Sequence, residues 1–175
     1  ISACLVGSEM CIRDSDHGES FGEHPNMIEG LDYFHPHSLH NEEQRTPLLL
    51  RYPGRIKANT TIQAPTQAID IYPTLLELAG LQTPPQNQGT SLVRLLDGSD
   101  TGASWVAYGA MPDYAFTSVT VPGWKLIESN PGGGYQLFDL NNDPAGLHDV
   151  AGAQADVSKQ LLGKANTWMK TVGIL

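Results

Sequence analysis

Ser15-Asp16-His17-Gly18-Glu19 is followed by His35-Pro36-His37-Ser38-Leu39-His40-Asn41-Glu42 and then by Pro47-Leu48-Leu49-Leu50-Arg51-Tyr52-Pro53-Gly54. The side chains of Asp16 and His17 would diverge on a regular strand. They can converge where a strand ends in a loop, and Gly18 relaxes the backbone at that point. A carboxylate oxygen and an imidazole nitrogen could then meet one cation able to polarise a bound oxyanion. Taken by itself, Asp-His-Gly reads more readily as an ordinary structural turn. The wider region adds weight: of the six histidines, His17, His24, His35, His37 and His40 crowd into one short stretch, and neutral imidazole is a common metal ligand.

Working outward, Leu48-Leu49-Leu50 is an unbroken apolar triplet that suits a short strand buried on both faces, and Pro53-Gly54 forces the turn after it. Thr60 to Gln63 reads as a short extended segment. A helix begins at Asp70, with Asp70 as N-cap, Pro73 in the first turn, Ile71, Leu75, Leu76 and Leu78 as its apolar positions, and Gly80 as its stop. A loop over 83–89 precedes a helical turn around Ser91 to Leu96. The Gly, Asp, Ser and Thr of Asp97 to Ala103 then make the best boundary. Beyond it, Trp105 to Tyr108, Tyr114 to Val121, Trp124 to Glu128 and Tyr135 to Leu140 are rich in aromatic and β-branched residues and separated by Pro or Gly, which predicts a small antiparallel sheet. Asp156 to Lys170 carries Val157, Leu161, Leu162, Ala165 and Trp168 at helical intervals, an amphipathic helix suited to cover one sheet face.

Upstream, Leu5 to Asp14 resembles the translation of an adaptor used in transposase-based sequencing libraries. Residues 1–14 are therefore expected to be non-native, with the native chain starting near Ser15 and its upstream part lost. Cys4 and Cys11 fall in or beside that segment, so neither a disulfide nor a redox compartment is argued from them. The chain's 175 residues, 40% of them hydrophobic, can fill a modest core. A formal net charge of -9 with ten Lys plus Arg argues against nucleic acid or an anionic membrane as partner. No apolar run approaches the roughly 20 residues that span a bilayer. Localisation and oligomeric state stay open; a signal peptide upstream would make the protein periplasmic or secreted.

The ordered set Asp16-His17-Gly18-Glu19-Ser20-Phe21-Gly22-Glu23-His24, then His35 through Gly54, then Asp70 through Gly80, strongly resembles the sulfatase family of the alkaline-phosphatase-like superfamily. Gly123-Trp124-Lys125-Leu126-Ile127 and Leu137-Phe138-Asp139-Leu140-Asn141-Asn142-Asp143-Pro144 continue the resemblance. It implies an α/β fold: the C-terminal part of a mixed-sheet catalytic domain over 15–103, followed over 104–175 by a small antiparallel sheet with a terminal helix. It also implies that Asp16 and His17 ligate a divalent metal, Ca2+ in most sulfatases, with Mn2+ or Zn2+ as alternatives. His35 corresponds to a sulfate-contacting, leaving-group-assisting position, and His37 is a lesser catalytic candidate. The substrate implied is a small-molecule or carbohydrate sulfate ester.

Pro36 stands where similar sequences usually have Gly, and His40 where Tyr is common, so the surroundings of His35 depart from the pattern. The family's nucleophile, a formylglycine made from Cys or Ser in Cys/Ser-x-Pro/Ala-x-Arg, has no counterpart in this sequence. The 175 residues alone are therefore expected to be inactive. A phosphodiesterase or phosphoethanolamine transferase of the same superfamily is the alternative, with zinc or manganese at Asp16, His17 and His35; a non-enzymatic metal-binding module is the third reading. His24 and His40 read as loop-surface or packing residues, Glu42, Glu43 and Arg45 as a polar helix face or local ion pairs, His148 as structural, and Trp105, Trp124 and Trp168 as packing residues.

Overall fold

A computed structural model describes residues 10–24, 38–111, 116–129 and 133–173. The chain forms two compact units, Ile1–Asp16 with Thr46–Trp105, and His17–Arg45 with Val106–Leu175.

In the first unit, β1 (Cys11–Asp14) pairs antiparallel with β2 (Leu48–Arg51), Cys11 facing Arg51 and Asp14 facing Leu48. Burial on β2 alternates, contrary to the double-faced burial expected of its leucine triplet: Leu48 and Leu50 are half-buried, whereas Leu49 is 58% exposed. A strand alternates its side chains between two faces, and here only one face is covered. Among the described residues, no strand pairing involves Thr60 to Gln63.

The helix expected after Asp70 is α2 (Ile71–Leu78). Its start differs in detail, because a 3-10 turn over Ala68–Asp70 leads into it and Asp70 already has helical backbone angles. The buried Asp70 carboxylate accepts from the Gln67 N–H at 2.9 Å and the Thr90 N–H at 2.8 Å, closing the turn and fastening the 89–90 loop to it. Thr74 continues this fastening: its hydroxyl donates to the Asp70 carbonyl and accepts from the Leu92 N–H at 2.9 Å. The helix stops at Gly80 (φ +74°), where the Gly80 N–H reaches the Glu77 carbonyl and the Leu81 N–H the Leu76 carbonyl. This paired closure needs a left-handed residue, which glycine supplies without steric cost. A single turn, α3 (Val93–Leu96), follows, with Leu92 and Leu95 buried.

The second unit contains the predicted sheet. β3 (Ala107–Ala110), β4 (Phe116–Val121), β5 (Trp124–Ser129) and β6 (Tyr135–Asp139) form an antiparallel meander in chain order. The predicted second strand reaches back to Tyr114, and residues 112–115 lie outside the described residues. The terminal helix α4 (Ala155–Thr171) covers one face. Val119, Leu126 and Leu137 meet Leu161, Ala165 and Met169 there, none more than 1% exposed. Ser158, Leu161, Ala165 and Met169 form the inner stripe of α4, while Val157, Leu162 and Trp168 flank it half-buried. Trp168 stacks on Tyr108 with ring centroids 5.0 Å apart. On the opposite face, Ile127 and Phe138 pack with Leu39, flanked by Met111, Phe116 and Leu140. Both faces of the central strands are thus covered, which is why Lys125 through Glu128 are buried without alternation.

Candidate functional site

Asp16 ends the first-unit segment that contains β1, and His17 opens the second unit; both are exposed. The His17 Nδ1 lies 2.7 Å from the Gly18 carbonyl oxygen. A carbonyl only accepts, so Nδ1 carries the proton in that contact. A metal-ligating histidine adopts this arrangement when a backbone carbonyl orients its ring. The next two residues are tied to α1, the single turn Asn41–Gln44: the Gly18 N–H donates to the Glu43 carbonyl at 2.7 Å and the Glu19 N–H to the Glu42 carbonyl at 3.0 Å. Gly18 lies so close to this turn that a Cβ would overlap the Glu42 carbonyl.

Behind the turn is a polar cluster. His24 and His40 stack with ring centroids 3.7 Å apart and planes 14° from parallel, and the edge of Phe138 closes on both. His24 Nδ1 meets the Glu42 carboxylate at 2.7 Å, and its Nε2 meets the Gly146 carbonyl at 2.8 Å. Both partners accept, so the doubly protonated ring satisfies both contacts at once. His40, 2% exposed, is held neutral to about pH 3 by burial, then by the charge of His24 and that of Lys125. Two stacked imidazolium rings would repel, which is the second cause of the lowered His40 pKa.

Lys125 lies on the same sheet face, 2% exposed, with Nζ 3.1 Å from Asn41 Oδ1 and 3.2 Å from Gln44 Oε1. Burial lowers its pKa to about 7 against the opposing pull of Glu42. Asn41 Nδ2 donates to the Pro144 carbonyl, and Ser118 Oγ to Gln44 Oε1. Glu43 accepts from the Ser38 N–H and Oγ.

His35 and His37 lie outside the described residues. His40 is a packing residue, buried against Phe138 and His24, whereas the reading of His24 as a surface or packing residue missed its pairing with Glu42 and the Gly146 carbonyl; Glu43, expected on a polar helix face, is 6% exposed. His148 does serve its own loop, with N–H and ring Nδ1 both on Asp143. Trp124 and Trp168 pack against the helix-side core, and Trp105 donates to Asp100. Lys125 escaped sequence reading, although its spacing held a signal: it alternates with Ile127 on one strand and must share that buried face.

As for metals, the described residues contain no group of three or more His, Cys, Asp or Glu that could hold an ion. By type, the Asp16 carboxylate and the His17 imidazole are groups that ligate divalent cations.

The family model for the C-terminal part of N-sulphoglucosamine sulphohydrolase matches residues 30–170. The chain belongs to the sulfatase family. Arylsulfatase K of Mus musculus is 31% identical over 160 residues, 84% of this chain and 28% of that protein. N-acetylglucosamine-6-O-sulfatase of Bacteroides thetaiotaomicron is 31% identical over 166 residues, 89% of this chain and 28% of that protein. The chain thus spans under a third of the length of these sulfatases. Among solved structures, BT4656 in complex with its substrate D-glucosamine-2-N,6-O-disulfate superposes with a TM-score of 0.77 at 29% identity, covering 92% of this chain and 34% of the other. The α/β architecture with small antiparallel sheets and a terminal helix is accordingly that of a sulfatase C-terminal region within the alkaline-phosphatase-like superfamily.

Proposed function

We propose that this chain belongs to a sulfuric ester hydrolase and supplies part of its site, with a sulfated amino sugar as substrate. The carrying observation is convergence of names: the matching family model, one sulfatase relative and the substrate of one structural neighbour all concern sulfated glucosamine. Asp16 and His17 would hold a divalent cation, with calcium best suited to the carboxylate. When bound, such a cation supplies positive charge against the nonbridging sulfate oxygens. His17 would bind through Nε2, since its Nδ1 lies 2.7 Å from the Gly18 carbonyl oxygen. His35 would donate a hydrogen bond to the sulfate and a proton to the departing sugar oxygen, with His37 as its auxiliary. The nucleophile, a formylglycine hydrate attacking sulfur, lies outside this sequence.

Two measurements test the reading. The 175-residue chain should release no product from a chromogenic aryl sulfate. The same region within its complete coding frame should desulfate a 6-O-sulfated glucosamine, and Asp16→Ala or His17→Ala should lower kcat/KM by about 100-fold. Undiminished turnover in either variant would remove the metal assignment, and preference for a phosphodiester would replace the sulfatase reading.

A further inference from the structure

Lys125 has no role in the chemistry above, yet its buried amino group is placed against a single turn of helix. Filling the same space with an apolar side chain would avoid the desolvation cost of a charge. Its two acceptors, Asn41 Oδ1 and Gln44 Oε1, are the first and last side chains of α1. Gln44 is held a second time by Ser118 on β4, and Asn41 by donating to the Pro144 carbonyl after β6. Gly109 on β3 leaves the space that the Gln44 amide occupies. The middle of α1 faces elsewhere: the carbonyls of Glu42 and Glu43 accept the N–H groups of Glu19 and Gly18. One turn of helix therefore joins the C-terminal sheet to the backbone beside His17, entirely within the second unit.

We infer that Lys125 is a positioning residue for His17: its Nζ, donating to both ends of α1, fixes that turn against the sheet, and α1 fixes the Gly18–Glu19 backbone whose carbonyl orients the His17 ring. The inference rests on the reading of His17 as a metal ligand. Glu42 supplies the opposing charge felt at Lys125, and Lys125 in turn helps to lower the pKa of His40. The spectroscopic signature is the His17 tautomer. An unconstrained imidazole favours Nε2–H, whereas the bond to the Gly18 carbonyl requires Nδ1–H.

The test uses the 175-residue chain, 15N-labelled at histidine, at pH 7. Wild type and Lys125→Arg should show a pyrrole-type Nδ1 for His17, and Lys125→Met should revert to the ordinary Nε2–H majority with circular dichroism unchanged. Substoichiometric Mn2+ should broaden the His17 ring signals in wild type and Lys125→Arg, and visibly less in Lys125→Met. A folded Lys125→Met with the wild-type tautomer overturns the inference. Should that variant fail to fold, Gln44→Ala, at an exposed position, carries the test: loss of the Nδ1–H tautomer supports the role and its retention overturns it. If Mn2+ leaves His17 of the wild type untouched, the metal reading fails, while the tautomer comparison still decides whether Lys125 sets the ring.

Discussion

Gly18 owes its identity to crowding rather than to backbone angle. Its N–H donates to the Glu43 carbonyl, and a side chain would run into the Glu42 carbonyl. That carbonyl belongs to the helix backbone, so it cannot swing aside as the end of a flexible side chain could. Gly18→Ala should therefore destabilise the chain by about 1–3 kcal/mol, through overpacking and loss of one or both main-chain bonds. Urea unfolding would read this as a lower midpoint at unchanged slope. An unaltered midpoint would mean that residues 17–19 are not seated on α1. His24 teaches a different lesson at the same scale. Nothing local marks it as more than a loop histidine, but acceptors 18 and 122 positions away occupy its two nitrogens. It is therefore unsuited to ligate a metal, whatever the local density of histidines suggests.

Among elements, the terminal helix shows how far pattern reading reaches. Leu161 and Leu162 are equivalent in a helical wheel drawn from sequence, because neighbouring apolar residues both fall within a broad stripe. The sheet separates them: Leu161 is 1% exposed against Val119, Leu126 and Leu137, while Leu162 is only half-buried. Leu161→Ala should cost about 2–5 kcal/mol, and Leu162→Ala less than half of that. Thermal unfolding of the pair checks the order; equal losses would place the core stripe elsewhere. The α2 helix was legible down to its glycine stop because caps and stops are written in adjacent residues. The leucine triplet of β2 was legible as a strand but not in its burial, since the partner layer of a strand leaves no mark within it.

For the molecule as a whole, acid should be the weak side. His40 is neutral in the fold to about pH 3 and titrates near 6.5 when free, so the unfolded chain binds the extra proton throughout that interval. Stability should fall as pH drops from 6.5 toward 3, by on the order of 2–4 kcal/mol in total. Lys125 acts with the same sign at higher pH: burial lowers its pKa from 10.5 to about 7, so stability rises with pH across that window. His40→Phe should keep a ring against Phe138 and His24 while flattening the acid limb of a melting-temperature profile. An acid limb as steep as that of the wild type would exclude His40 as its source. By itself, the sequence determined the sulfatase motif order, the helix after Asp70, the four strand segments of a small antiparallel sheet and the closing helix, because caps, turns and apolar periodicity act over a few residues. Only the tertiary structure decided the stacked His24 and His40, the Lys125 Nζ on α1 and the seat of Gly18. Those pairings join residues as far apart as 84 positions in the case of Lys125 and Asn41. They follow from which faces the two sides of one sheet bury, and hydrophobic periodicity along a single strand carries no record of its neighbours.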